Sequence, residues 1–338
     1  MHDHAPSWKD RLLPSHHGLK VAWFDAWHPV LDEALDGLPE ADICPRDLYR
    51  LLLQSAGLAP KRTALVTKHD EPVAVVGLRQ KERRTWELVT QWATPGFIFP
   101  ALPHYYLPAL EALGIDVWVA WWRMQSPPPP STQIRSVTTT QTYRLPLTGD
   151  YEHYWRENGY FKTVRRVRNR CRELRLEINA PGAAEWTIRS WEAKWRGDCP
   201  IVDSSLPERL LVAEYLEQQG RHFTLTLADQ GVCAGGATIM ADGKNLVAGV
   251  SYRAPHYERH GVGDRLIDLS FSFGAEHGFE VFDIGGGHEY KKHWARQDGE
   301  HYLFDICPEH VFRAKQATHW LREVRAAAVH QAGEPNRS

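Results

Sequence analysis

The sequence predicts an α/β protein of two tandem units, each built on a mixed, mostly antiparallel central sheet flanked by helices. Three observations carry that prediction. Strand-like apolar runs come in neighbouring pairs joined by short polar turns, at 64–78 and again at 221–241, as antiparallel hairpins do. The stretch from Lys244 to Trp294 runs strand, glycine turn, helix, strand, with Leu266, Leu269 and Phe273 at helical spacing and Ile267 beside them. The two halves repeat one order of elements at an offset of about 160 residues. Ala74 falls on Ala234, and the strand from Trp86 falls on that from Leu246.

The chain has 338 residues, room for two domains. Its 43% hydrophobic and 24% charged residues are ordinary for a globular protein. A formal net charge of −2 leaves no overall footprint for nucleic acid, so any such contact needs a local patch. Cys44, Cys171, Cys199, Cys233 and Cys307 are widely spaced without a C-x-x-C pair. They read as free thiols in a reducing compartment. No run approaches a membrane span, and the N-terminus lacks the apolar core of a secretory signal, so a cytoplasmic protein is expected.

In chain order, residues 1–20 read as a disordered tail, and His2, His4, His16 and His17 belong to that tail rather than to a metal site. The first unit occupies 21–125. Val21–Phe24 is a short strand. Trp27, Val30, Leu31, Ala34 and Leu35 recur at helical spacing, and Pro45 suits the first turn of a second helix. A hairpin over 64–67 and 72–78, a strand over 86–91, a helix over 104–113 and an aromatic-rich strand over 115–122 follow. The loop of this unit, ATPGFIFPALPHYY, has a lone Gly96 among Pro95, Pro100 and Pro103. Proline has no N–H to offer an anion, so donor binding is expected in the second unit only.

A Pro/Ser/Thr linker spans 126–140, opening on the polyproline stretch Pro127–Pro130. The second unit occupies 141–328 and opens with Thr142–Leu147 as an edge strand. From Lys162 to Arg175 seven basic residues accompany an apolar stripe of Val164, Val167, Cys171 and Leu174. That pattern is an amphipathic helix with a positive outer face. Two readings of the face stand: a solvated surface, or contact with an anionic acceptor, tRNA or an outlying donor phosphate. Helices over 183–195 and 207–218 come next, and then the hairpin and the glycine-turn stretch. A strand at 301–306, a last helix from Pro308 and a loose tail at 329–338 complete the chain.

The helix after His260-Gly261-Val262-Gly263 points several unpaired backbone N–H groups at whatever sits in the loop, with the positive end of its dipole behind them. Diphosphates are the usual guests of such a turn. This stretch resembles motif A of the GNAT acyltransferase superfamily. The tail FDIGGGHEYKKHW resembles one branch more closely, the acetyltransferase-like domains beside cellulose-biosynthesis and Fem-type proteins. That branch carries an Asp-x-Gly and then a Tyr-Lys pair, here Asp283, Gly285, Tyr290 and Lys291. The resemblance covers residues 140–325.

The resemblance implies acetyl-CoA or another acyl-CoA as donor and no metal. Backbone groups of Val247 to Val250 would pair with the pantetheine arm where the sheet splays. The N–H groups of Gly261, Val262, Gly263 and Asp264 would hold the diphosphate. Tyr290 resembles the tyrosine that protonates the leaving sulfur, and His288 and Glu289 are titratable neighbours. Asp283 ends a strand near the splay, either as a catalytic group or as a cap on the Gly285-Gly286-Gly287 turn. One position departs from the superfamily. Where Gln or Arg is usual, three residues before the first loop glycine, stands Glu258, with Arg259 next to it. Either Arg259 takes the role, or Glu258 points away, or the donor is not coenzyme A.

The predicted function is N-acyl transfer from acyl-CoA to an amine on a small molecule, sugar or peptide, by direct transfer. The alternatives are a Fem-type transferase taking its acyl group from aminoacyl-tRNA through the 162–175 basic helix, and a GNAT-like protein that binds without catalysis.

Overall fold

The computed structural model describes residues 13–14, 18–25, 27–55, 60–82, 85–94, 97–121, 128–197, 200–318 and 320. The first half runs β1 (Leu13–Pro14), β2 (Leu19–Phe24), α1 (Val30–Asp36), α2 (Arg46–Gln54), β3 (Lys61–Lys68), β4 (Glu71–Glu82), β5 (Thr85–Leu88), α3 (Tyr106–Ala112) and β6 (Asp116–Trp121). Then come β7 (Ile134–Pro146), α4 (Glu152–Glu157), α5 (Phe161–Arg170), β8 (Arg175–Ile178), α6 (Ala183–Trp195) and α7 (Pro200–Gln218). The chain continues through β9 (His222–Asp229), β10 (Val232–Asp242), β11 (Asn245–Arg253), α8 (Val262–Glu276), β12 (Val281–Gly286) and β13 (Arg296–Ile306).

The repeat is visible in the ladders. In the first half β2, β3, β4 and β5 pair antiparallel in sequence and β5 pairs parallel with β6. In the second, β8, β9, β10 and β11 pair antiparallel and β11 pairs parallel with β12. Both central hairpins turn through two residues of positive φ, His69-Asp70 in one and Gln230-Gly231 in the other. Such turns match the strand twist. The halves then exchange strands. β7 crosses to pair with β12, β13 crosses to pair with β6, and the two pair with each other. The result is one mixed, mostly antiparallel sheet of 13 strands among the described residues.

This exchange corrects two readings. Thr142–Leu147 is not an edge strand, because β7 lies between β12 and β13 in the interior of the sheet. The stretch 126–140 is linker only in part, since β7 starts at Ile134. Its Val137-Thr138-Thr139-Thr140 run is β-branched throughout and suits an extended chain. Three further boundaries move. The basic helix stops at Arg170, where Cys171 takes the C-cap, so Arg175 lies on β8. Pro207 stands inside α7 instead of opening it. β5 ends at Leu88, because the chain turns at Thr90–Trp92, with Trp92 at φ 73°.

Two large cores result. One lies in the first half and takes in Val212 and Leu216 of α7 and Met240 and Val247 of the second-half sheet. The other joins α4, α5 and α8 to the opposite face, around Trp155, Phe271 and Trp294. The halves also share a buried ion network. Arg79 meets Glu87 at 2.7 Å and Glu208 of α7 at 3.1 Å, and Lys61 meets Glu208 at 3.0 Å. Two cations and two carboxylates balance there. That balance is what makes burial of charge tolerable.

Candidate active site

The sheet opens where the sequence places chemistry. β11 and β12 stay in register only from Asn245↔Val281 to Val247↔Asp283. Beyond that point β11 continues beside β10 as far as Arg253, while β12 turns to β7. Two local devices drive the strands apart. In β11 a bulge sets Gly249 and Val250 opposite Thr238 of β10, whose hydroxyl accepts the Val250 N–H at 2.9 Å. Only glycine serves opposite it, since a Cβ on Gly249 would lie 2.3 Å from that hydroxyl. In β12 the register shifts after Asp283, whose Oδ1 accepts the Gly285 N–H at 2.7 Å. Arg144 Nε donates to the other oxygen at 3.0 Å.

Asp283 is therefore the cap of the glycine turn. Lys291 finishes that cap by donating to the carbonyls of Ile284 at 2.6 Å and Gly286 at 2.8 Å. Burial pulls the Lys291 ammonium down to about 8, against the opposing pull of Asp283. Val247 stands at the last paired position. Val250 lies beyond it, with its N–H already taken by Thr238.

Next to the gap, a 3₁₀ turn over Pro255–His260 leads into α8. Gly261 holds φ 77° as the N-cap and lies on Val167 of α5, where a Cβ would come within 3.2 Å. No side chain caps α8. Its first N–H groups thus lack intrahelical partners. Val262 is buried in the second core, while Gly263 and Asp264 are half-buried. Arg253, from the end of β11, lies over Gly263, its Nη1 3.5 Å from where a Cβ would stand. It also pairs with Glu258 at 3.4 Å. Arg253 therefore sets a positive charge over the loop and offsets the carboxylate that departs from the superfamily. Arg259 is exposed, and its carbonyl accepts from Arg170 of α5 at 3.5 Å.

Tyr290 faces the same mouth. Burial, then the charge of Asp264, hold its hydroxyl above the usual tyrosine range, with Arg253 opposing. Asp264 is itself raised, first by burial. Tyr160, which stacks on His293 at 4.9 Å, is pushed up to about 12 by burial and then by Asp264 and Tyr290. Trp294 is fully buried beneath them, and its indole acts on both Asp264 and Tyr160, opposing the rise that burial gives each. His288 is exposed and stacks on Tyr290 at 5.9 Å. Glu289 is 91% exposed and pairs with Lys292 at 3.4 Å.

The structure thus gathers Gly261, Val262, Gly263, Asp264 and Tyr290, and leaves Glu289 outside. Sequence reading missed Arg253, Tyr160, Trp294 and Thr238. Trp294 closes the FDIGGGHEYKKHW tail, and the other three belong to no periodic or glycine pattern. The basic helix is also more internal than its pattern suggests. Arg168 donates to Asp268 at 2.6 Å and Glu152 at 2.7 Å, and Asp268 is fully buried. Lys162, Arg165, Arg166 and Arg170 are exposed.

The matching gap in the first half is filled. β5 and β6 pair from Thr85↔Asp116 to Glu87↔Trp118. The Gln91 side chain then accepts the Ala120 N–H at 2.9 Å, and Trp92 packs on Trp118 at 5.5 Å. Pro95, Gly96, Cys199, the tail histidines and the 329–338 tail lie outside the described residues. Among the described residues no cluster of His, Cys, Asp or Glu is arranged to hold a metal, and no helix is long and apolar enough to cross a membrane.

No curated protein matches this sequence. Among solved structures the chain is similar to the C-terminal domain of a putative lysylphosphatidylglycerol synthetase from Agrobacterium fabrum, at 12% identity over 73% of this chain and 85% of that one, with a TM-score of 0.47. It is similar to FemX at 11% identity, covering 85% and 98%, with a TM-score of 0.46. It is also similar to a tandem GNAT protein from the clavulanic acid biosynthesis pathway, at 11% identity, covering 85% and 97%, with a TM-score of 0.47. Residues 159–294 match the family described as acetyltransferase (GNAT) domain. That span holds α5, the splay, the α8 turn and Tyr290, so the second half carries a GNAT domain.

Proposed function

We propose that the second half moves an acyl group from acyl-CoA, acetyl-CoA first among them, directly to an amine. The observation that carries this reading is the splay of β11 from β12 beside the uncapped start of α8, with Arg253 over Gly263. The N–H groups from Gly261 to Asp264 take the diphosphate, and Arg253 and Arg259 add positive charge. The pantetheine arm runs along the β11 edge after Val247. Tyr290 keeps its proton at neutral pH and stands ready to give it to the departing thiolate. The acceptor amine enters from the α6 and α7 side. The filled gap of the first half leaves one donor site per chain. Calorimetry with acetyl-CoA and longer acyl-CoAs should show that single site. Two sites, or no heat with any thioester, would sink the reading.

A second reading rests on the exposed Lys162, Arg165, Arg166 and Arg170, which would suit an aminoacyl-tRNA donor. Tight tRNA binding that weakens steeply with salt would move it to first place. A chain that binds without catalysis would take a thioester and never release thiol from it.

A further inference from the structure

Behind the splay, on the side covered by α6 and α7, lies a cavity of about 20 Å³ lined by Ile188, Arg209, His222, Thr238, Gly249 and Val250. Ala93 of the first half also borders it. Gly249 and Val250 are residues of β11 that have already parted from β12, so the cavity adjoins the gap itself.

The sheet face next to this cavity has an unusual character. Alternate residues of β9 point to opposite faces. Phe223, Leu225 and Leu227 pack into the second core. The other face carries His222, Thr224 and Thr226, all buried. A sheet face buried under helices is ordinarily apolar. Here His222 Nδ1, Thr224 Oγ1 and Thr187 Oγ1 of α6 are buried without a hydrogen-bond partner among the described residues. Each such group, left dry, costs about 1–3 kcal/mol. A cavity needs about 10–15 Å³ and two or more polar partners to hold a water. This one has the room, the His222 imidazole and the Thr238 hydroxyl.

We propose that the cavity holds one fixed water between His222 Nδ1 and the Gly249–Val250 edge of β11, and that water and imidazole together take the proton the acceptor amine sheds. This rests on the acyl-transfer reading. Asp264, Tyr290 and His288 stand at the mouth by α8, and three further titratable groups are committed or remote. Asp283 is held by Arg144 and Gly285. Both oxygens of Glu192 on α6 accept from Arg196. Glu289 lies in solvent. Of the charged groups facing His222, Arg209 on α7 lines the same cavity and stacks on Trp191 at 4.8 Å. Met240 stands opposite on β10. Burial holds the imidazole down to about 4, so it is neutral at working pH, and its buried Nδ1 has no partner among the described residues.

In the step, the amine nitrogen bonds to the acyl carbon and the carbon–sulfur bond breaks. The ammonium proton passes to the water, and a proton of that water passes to His222 Nδ1. The thiolate takes a proton from Tyr290, which recovers one from solvent, and the imidazolium returns its own to solvent. Net, amine and thioester give amide and thiol. His222 never touches the substrate and acts through the water as a positioning residue.

The test compares wild type with His222→Gln and His222→Leu, using acetyl-CoA as donor and hydroxylamine as a small amine probe. Acetohydroxamate is measured above the uncatalysed background, and acetyl-CoA affinity is measured separately by calorimetry. Both variants should bind acetyl-CoA within about twofold of wild type, with KM for hydroxylamine unchanged and kcat lower by about tenfold or more, at or below the usual range for loss of a base. A His222→Gln rate within about twofold of wild type overturns the proposal. So does a matching loss of acetyl-CoA affinity, which would assign His222 to packing, or a wild type that binds acetyl-CoA and forms no hydroxamate. Failure of wild type to bind any acyl-CoA strikes instead at the acyl-transfer reading.

Discussion

His222 makes the stability of this protein depend on mild acid, and the size of the effect follows from its burial. The ordinary histidine value is 6.5, and in the folded chain burial lowers it to about 4. Below 6.5 the unfolded chain takes a proton that the native chain refuses. Stability from this residue is therefore complete above about pH 6.5, falls as the pH drops towards 4, and levels off below that. Integrating between pH 7 and pH 4.5 gives about 2–3 kcal/mol lost through this one side chain. The carboxylates titrate over the same range, so the assay has to be a difference. Urea midpoints would be measured for wild type and His222→Leu at both pH values. Leucine fills much of the space and cannot titrate. Wild type should lose about 2–3 kcal/mol more than the variant on acidification. Equal losses would show that the folded imidazole takes a proton as readily as the unfolded one, and the burial argument would fail.

Two further outcomes follow from the turn and the basic helix. Gly263→Val places a side chain in ordinary contact with Arg253, with no backbone strain, so the fold should persist while the diphosphate loses its close approach. Acyl-CoA affinity should fall about tenfold or more, roughly 1.4 kcal/mol, and unchanged affinity by calorimetry would make the loop a turn and nothing else. Arg168→Ala strands the buried Asp268 with Arg265 alone and should cost about 2 kcal/mol or more, whereas Arg165→Ala should cost under about 1 kcal/mol. Urea midpoints that move equally would refute the division of that helix into an inner and an outer arginine.

The elements of the fold were legible because they rest on local signals. The hairpins announce themselves by apolar runs around short turns, and α6 spans Ala183–Trp195, as its apolar spacing indicates. The α8 turn is legible because glycine at φ 77° and an apolar-periodic helix are both written in consecutive residues. What sequence reading loses is pairing at long range. The first part of β7 reads as linker because Thr138, Thr139 and Thr140 are consecutive and give no apolar face, and Val137 is 51% exposed. Its central place comes from partners 135 or more residues away. No local pattern encodes the exchange of β7 and β13 between halves.

The site divides along the same line. Tyr290, Gly261 and Gly263 belong to contiguous motifs, so they could be named before any fold was known. Arg253, Tyr160 and Trp294 reach the mouth from the end of β11, the start of α5 and the segment after β12, and only the tertiary arrangement of those elements brings them together. The first half also borders the splay of the second. Its Arg79 and Lys61 fix Glu208, and the next residue of α7, Arg209, borders the cavity behind the splay. Its Ala93 borders that same cavity. A half that has closed its own slot with Gln91 and Trp92 thus supplies part of the wall behind its partner's. Because that wall is held by buried, charge-balanced contacts, removing either carboxylate leaves an uncompensated cation in the interior. The packing of α7 therefore ties the wall behind the second-half splay to side chains of the first half.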